Sequence, residues 1–239
     1  MRLIKYIKEP IKRMARKFRI NISLINTNEY TPWLNNEEFN QIYNKIKLNT
    51  LCSYDRCYEL WELVYESKKL PGEIIEIGTW RGGSSSLIAY QSKKHSPSTT
   101  VYLCDTFNGV VKSGHHDNNY SDGEHSDTSK KYVEKLITDL NLDNTKILEG
   151  IFPDETGHQI ENDTVFRFCH IDVDVYESAN SIMKWLWPKL VLGGIVVFDD
   201  YGSTNCNGII KLVNEERKKT DRLFIHNKNG HAILIKTSN

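Results

Sequence analysis

The sequence predicts an α/β fold, a doubly wound and mostly parallel seven-stranded sheet with helices before it and an antiparallel hairpin at its C-terminal edge. Three observations predict it. Five short strand-like runs, EIIEI (73–77), TTVYLC (99–104), KILEG (146–150), VFRFCHID (165–172) and GIVVFDD (194–200), alternate with helical patterns such as SKKYVEKLITDL and SANSIMKWLWPKL, as βαβ units do. Two further runs, RLFIH and HAILIK, flank NKNG, a hairpin turn in which Gly230 is free to take a positive φ. The length of 239 residues, with 39% hydrophobic and 26% charged content, suits one compact domain with modest additions.

The elements follow in order. Residues 1–22 carry eight Lys or Arg against one Glu, with Leu3, Ile4, Ile7, Ile11, Met14 and Phe18 at roughly helical spacing, so a basic amphipathic helix is expected, interrupted at Pro10. Such a helix packs on its own domain or a second subunit, or lies on an anionic membrane surface. NNEEFNQIYNKIKL has acidic residues in its first turn and Phe39, Ile42, Tyr43 and Ile46 on one face; a second helix is expected over roughly 53–69, closed by Leu-Pro-Gly at 70–72. The organisation expected is a helical extension over 1–70 and a core domain over 71–239. Within the core, the loop VKSGHHDNNYSDGEHSDTS (111–129) is strongly polar and holds three of the eight histidines. A loop that long inside a compact domain is functional or disordered.

Composition excludes several classes. Lys plus Arg and Asp plus Glu are 31 each, so there is no whole-molecule field to steer nucleic acid, and no nucleic-acid partner is indicated. The cysteines (Cys52, Cys57, Cys104, Cys169, Cys206) are odd in number and lack metal-finger spacing; they read as reduced, mostly buried thiols of a cytoplasmic protein. No apolar run approaches a membrane span, and no signal-peptide pattern opens the chain.

In an open parallel sheet the ligand lies outside the carboxyl ends of the strands. After the first strand come Gly78, Trp80, Arg81, Gly82 and Gly83, and then Ser84 to Ser86, which are placed to cap the next helix. Neither GxxxxGK[ST] nor GxGxxG is present, so a triphosphate or dinucleotide is not indicated. The second strand ends in Asp105, where nucleotide-binding sheets grip ribose hydroxyls. An adenosine-containing ligand without a pyrophosphate suits both loops. The fourth and fifth strands end in HIDVDVYES and VVFDDYG, which brings Asp172, Asp199 and Asp200 to one sheet edge. Three carboxylates together repel one another unless a cation sits among them, and oxygen ligands suit Mg²⁺, Ca²⁺ or Mn²⁺. The plainer use of strand-end aspartates is to cap helices, but the consecutive Asp199 and Asp200 cannot both cap one.

On these residues the chain resembles the S-adenosylmethionine-dependent methyltransferases of the first structural class, and within them the macrocin-type sugar O-methyltransferases. The resemblance spans roughly Pro71 to Lys236 and rests on EIGTWRGGSS, the acid of CDTFNGV, HIDVDVYES and LVLGGIVVFDDYG, with twenty-six residues between Asp172 and Asp199. It implies the Rossmann-like fold of that class, with Glu76 and Gly78 at the methionine end of the cofactor, Asp105 on its ribose and Gly82 permitting close approach. Trp80 departs from the commonest glycine pattern, although WRGG fits the sugar-methylating subgroup. The cofactor-binding set expected is Glu76, Gly78, Thr79, Trp80, Arg81, Gly82, Ser84, Asp105, Thr106 and Gly150. The resemblance also implies Asp172, Asp199 and Asp200 as ligands of Mg²⁺ or another divalent cation, which binds two adjacent sugar oxygens, and it favours His125 over His115 and His116 as the base. The family places an acid two residues before that histidine; here the adjacent residue is Glu124. His125 and Asp172 are the expected catalytic residues, and His170 reads as a core residue.

The function expected is transfer of a methyl group from S-adenosylmethionine to a sugar hydroxyl of a glycosylated natural product or a surface-polysaccharide precursor, by a homo-oligomeric cytoplasmic enzyme, peripheral to the membrane if residues 1–22 attach there. A glycosyltransferase using Asp172-Val173-Asp174 as its DxD is the rival, but it leaves the WRGG turn and Asp199-Asp200 idle. A non-catalytic module of the same fold is the third reading.

Overall fold

The central strands of the sheet are short runs of buried, mostly apolar side chains, the pattern of strands covered on both faces, while the edge strands are more exposed. The structure is a computed structural model that describes residues 30–239, so the basic stretch 1–22 lies outside it. The strands are β1 (Glu73–Ile77), β2 (Val101–Asp105), β3 (Thr145–Glu149), β4 (Phe166–Ile171), β5 (Leu190–Phe198), β6 (Arg222–His226) and β7 (Ala232–Lys236). They form one seven-stranded sheet in the order β3-β2-β1-β4-β5-β7-β6. The first five are parallel, and β7 pairs antiparallel with both β5 and β6. The crossover from β3 over to β4 makes the switch point between β1 and β4, where a doubly wound sheet opens its ligand crevice.

The helices are α1 (Glu37–Ile46), α2 (Tyr54–Ser67), α3 (Gly83–His95), α4 (Lys130–Asp139), α5 (Tyr176–Leu186) and α6 (Asn207–Glu216). In α2, Cys57, Leu60, Trp61 and Val64 are buried at i, i+3, i+4 and i+7, one stripe of a helix. Trp61 stacks on Tyr90 of α3 at 5.9 Å between ring centroids. On the other side of the sheet, Ile182 and Met183 of α5 and Ile209, Leu212 and Val213 of α6 share a core with Ile75, Phe166, Cys169 and Val196 of the strands.

The chain divides into a unit ending at Asn36, whose described part is a 3-10 turn over Pro32–Asn35, and a unit over Glu37–Asn239. α1 and α2 belong to the larger unit, within which α2 buries its apolar stripe. Two expectations shift, the start of β5 and the role of the serines after the glycine turn. β5 begins at Leu190, four residues before the run read from sequence, since Gly193 (φ +78°) takes a left-handed conformation that lets the strand continue through a register shift. The serines after the glycine turn are not caps: the N-cap of α3 is Gly82, with no side-chain capping bond, and Ser84, Ser85 and Ser86 are buried inside the helix. Among the described residues no helix is long and apolar enough to cross a membrane. All five cysteines are buried and free.

Candidate active site

The turn after β1 is built around the approach of its neighbours. Gly78 (φ +88°) sits where a Cβ would overlap the carbonyl oxygen of Asp172, so glycine allows the ends of β1 and β4 to touch. Gly82 (φ +80°) faces α4, where a Cβ would stand 2.9 Å from Val133 Cγ1. Asp105, at the end of β2, fastens the turn from the side: Oδ2 accepts the backbone N–H of Trp80 at 2.7 Å and Oδ1 that of Phe107 at 2.7 Å. Burial raises the Asp105 pKa, with the N–H groups of Phe107, Trp80 and Thr79 opposing the shift.

A cleft of about 200 Å³ opens above the carboxyl ends of β1, β2, β4 and β5. Gly78, Thr79, Trp80, Ser84, Asp105, Thr106 and Gly150 border it, as do His125, Asp172, Asp199 and Asp200. Glu76, Arg81 and Gly82 do not. Glu76 is fully buried; Oε2 accepts the Ser85 hydroxyl and Oε1 lies 2.6 Å from His170 Nδ1. Arg81 lies over the Trp80 ring and pairs with Asp127, which also accepts Trp80 Nε1 at 2.8 Å. That clamp, with the Thr128 hydroxyl donating to Trp80 O at 2.6 Å, ties the glycine turn to the loop that carries His125.

The 111–129 loop is anchored at both edges. Asp117 accepts N–H groups from Gly114 at 2.9 Å and from Tyr176, at the start of α5, at 3.0 Å. Val110 N–H donates to Glu124 O, and Gly123 N–H to Val110 O, which sets His125 in a left-handed conformation (φ +62°) at the rim of the cleft. His115 and His116 do not border it; their rings lie 3.7 Å apart, and His116 packs on Tyr176.

The opposite wall is acidic. Burial, reinforced by neighbouring carboxylates, raises Asp172 well above the ordinary carboxylate range, Asp174 to about 7 and Asp200 to about 6. Asp199 differs. Oδ2 pairs with Arg56, and Oδ1 lies 2.9 Å from His231 Nε2 and 3.4 Å from Cys52 Sγ. Although burial pushes it up, His170, His231 and Arg56 hold Asp199 well below the usual range. His231 is itself held through Nδ1, 2.5 Å from Glu59 Oε2 on α2. Burial would depress His170, but Asp199 and Glu76 outweigh it and hold its pKa up to about 9.

None of the three aspartates caps a helix: the N-caps of α5 and α6 are Val175 and Cys206. Arg56, engaged by Asp199, and His125 only partly offset the charge of the part-buried Asp172, Asp174 and Asp200. Asp172 and Asp199 offer ligand oxygens within 4.8 Å of each other, as do Asp174 and Asp200, and such carboxylate oxygens fit a hard divalent cation. Sequence reasoning missed Arg56, Glu59, Cys52 and His231. Only the sheet register could have found His231: one step beyond the pair Phe198↔Ala232 it stands opposite Asp199.

Comparison with known proteins identifies the family and the fold. The pattern of the Macrocin-O-methyltransferase (TylF) family matches residues 50–230, more than half of the chain. The 8-demethyl-8-(2,3-dimethoxy-alpha-L-rhamnosyl)-tetracenomycin-C 4'-O-methyltransferase of Streptomyces olivaceus is 28% identical over 152 residues, 59% of this chain and 57% of the relative. The demethyldecarbamoylnovobiocin O-methyltransferase of Streptomyces niveus is 29% identical over 168 residues, 64% of this chain and 60% of the relative. The match thus spans under two thirds of the length of either relative. In fold, the O-methyltransferase NovP superposes with a TM-score of 0.68 at 24% identity, covering 80% of this chain and 83% of that one. An O-methyltransferase from Bacillus cereus, in complex with SAH, gives a TM-score of 0.55 at 19% identity, covering 88% and 93%. The chain belongs to the macrocin-O-methyltransferase family.

Proposed function

We propose that this family member transfers the methyl group of S-adenosylmethionine to a sugar hydroxyl, in a glycosylated natural product or a surface-polysaccharide precursor, with a divalent cation such as Mg²⁺ at Asp172, Asp199 and Asp200. The observation that carries the reading is the cleft itself, in which the Asp105-fastened glycine turn faces a wall of carboxylates. The relatives, one named for a rhamnosyl-bearing compound, support a sugar as acceptor.

The donor supplies an electrophilic sulfonium methyl. Asp105, already oriented by two backbone N–H groups, accepts from the ribose hydroxyls with its remaining lone pairs, and Gly78 and Thr79 border the methionine end. The cation supplies Lewis acidity toward the acceptor hydroxyl. His125 takes the proton that the hydroxyl loses, from a rim position that solvent reaches and can discharge. Arg56 and His231 hold Asp199 so that its carboxylate does not turn when the site fills. Residues 1–22 serve contact with a second subunit or an anionic membrane surface.

The test is transfer of labelled methyl from S-adenosylmethionine to a panel of sugar-bearing acceptors, with S-adenosylhomocysteine as inhibitor. Transfer to a sugar hydroxyl supports the proposal; stabilisation by UDP-sugars with no response to S-adenosylhomocysteine would contradict it.

A further inference from the structure

The tryptophan of the glycine turn is held in a conformation that its side chain disfavours. Trp80 takes φ +45°, in the left-handed region that bulky residues rarely enter, and such a conformation persists only where the surroundings over-determine it. Here they do. Its N–H donates to Asp105 Oδ2 at 2.7 Å, and its carbonyl accepts the Thr128 hydroxyl at 2.6 Å. Its indole Nε1 donates to Asp127 Oδ1 at 2.8 Å, and the Arg81 guanidinium lies 4.4 Å from its ring centroid. Arg81 in turn donates to Asp127, through Nη2 to Oδ2 at 2.5 Å and through Nε to the main-chain carbonyl at 3.2 Å. Trp80 and His125 border the cleft, and Asp127 does not. Among the described residues, every hydrogen bond that residues 125–128 make outside their own loop goes to Trp80 or Arg81. The earlier part of the loop has other anchors, Asp117 to Tyr176 and Glu124 to Val110. Beyond Glu124, the end that carries His125 is fastened to the glycine turn.

We propose that Asp127 is a positioning residue that couples the two sides of the cleft: acting through Trp80, it makes donor binding dock the loop that presents His125 to the acceptor. The inference rests on the S-adenosylmethionine reading above and adds an order to it, since the acceptor meets a formed site only once the donor is in place. A ligand shifts a loop only if it binds the docked form better than the undocked one. Trp80 supplies that difference, because one residue in one conformation serves both sides. The backbone that turns its N–H to Asp105, on the donor side, also turns its carbonyl to Thr128 and its indole to Asp127, on the loop side. Fixing either side favours the other, and the coupling is reciprocal, so a docked loop also tightens the donor. The side chains of Arg81 and Asp127 are 30% and 63% exposed, and an ion pair that solvent reaches contributes little to fold stability. Its consequence is therefore sought in position. The competing arrangement is a surface tether, whose bonds are made equally with and without donor.

The test is amide hydrogen exchange of the full chain, read over residues 121–129, with and without saturating S-adenosylhomocysteine. In the wild type the ligand slows exchange there by about 5-fold or more, the lower end of coupling between sites. Asp127→Ala still binds the ligand and still shows slowing at residues 78–80, but loses it over 121–129; without ligand it unfolds at the wild-type temperature. Asp127→Asn, which keeps an acceptor for Trp80 Nε1, retains part of the slowing. A wild-type complex with no slowing over 121–129, equal slowing in wild type and Asp127→Ala, or faster exchange throughout the ligand-free Asp127→Ala chain would overturn the inference and leave the donor reading standing. No binding of S-adenosylhomocysteine by the wild type would overturn both. Should Asp127→Ala fail to fold, Trp80→Phe, which lacks the indole N–H, decides: slowing lost over 121–129 supports the coupling, and slowing kept overturns it.

Discussion

Asp105, at the end of β2, is a part-buried carboxylate whose two oxygens already accept backbone N–H groups from Trp80 and Phe107. Across the cleft, at the ends of β4 and β5, Asp172, Asp174 and Asp200 are part-buried carboxylates whose pKa values are raised by burial and by neighbouring carboxylate charge. The first wall is complete before any ligand arrives, because peptide dipoles balance its charge. Under the proposed function, the second is completed by the cation. Asp199 stands between the two cases, since Arg56 and His231 supply from within what its neighbours lack. Methyl transfer calls for that division: a donor that is already a cation needs hydrogen-bond acceptors in fixed places, and an acceptor hydroxyl needs help to lose its proton.

The largest effect expected from breaking this contrast comes from emptying the acidic wall. Exhaustive chelation removes several kcal/mol of transition-state stabilisation, about three powers of ten in rate or more, with cofactor binding unchanged. Full turnover after verified removal of metal would leave the aspartates as direct sugar contacts. Next comes the rim. His125→Ala lowers the rate by about 10² to 10⁴ at neutral pH without changing metal affinity, and raising the pH recovers part of the loss as the hydroxyl ionises unaided. A flat pH response with normal activity would leave His125 as a loop residue.

The internally balanced carboxylate is tested by stability rather than rate. Asp199→Ala leaves Arg56, whose side chain is 19% exposed, and the fully buried His231 without their partner, which costs about 3 to 5 kcal/mol in urea unfolding. A loss under about 1 kcal/mol would show the pair to behave like a surface ion pair. The smallest effect falls on the preorganised wall. Asp105→Ala removes a charged acceptor from the ribose and two anchors from the turn, and weakens S-adenosylhomocysteine binding by about 1.5 to 3 kcal/mol, roughly 10- to 100-fold, in a folded chain. Unchanged affinity would reduce Asp105 to a turn residue.

Much of the fold was legible because its strands are apolar runs bounded by turn residues. EIIEI is β1 to the residue, and NKNG makes the hairpin turn with Gly230 at φ +104°. The start of β5 was not legible, since Gly193 and Gly194 break the apolar run that backbone pairing carries through. Of the site, the residues that follow strands were legible, because in a parallel sheet a strand end is a position in space as well as in sequence: Asp105, Asp172, Asp199 and Asp200 all border the cleft. What surrounds them was not. Arg56 reaches Asp199 across 143 positions, from a helix whose sequence shows only its apolar stripe. His231 reaches it through an antiparallel register that no spacing encodes. Glu76 was legible as a residue of the first strand, but its burial beneath the cleft, against His170, depends on the β1–β4 pairing.

The measurement that bears most directly on this division is calorimetric titration of S-adenosylhomocysteine into the chain, once with divalent cation and once in excess chelator. One equivalent bound with the same affinity in both is the result expected, because the donor wall is balanced by backbone amides and needs no cation. Failure to bind in either would contradict the donor assignment, and binding only in the presence of cation would contradict the separation of the two walls.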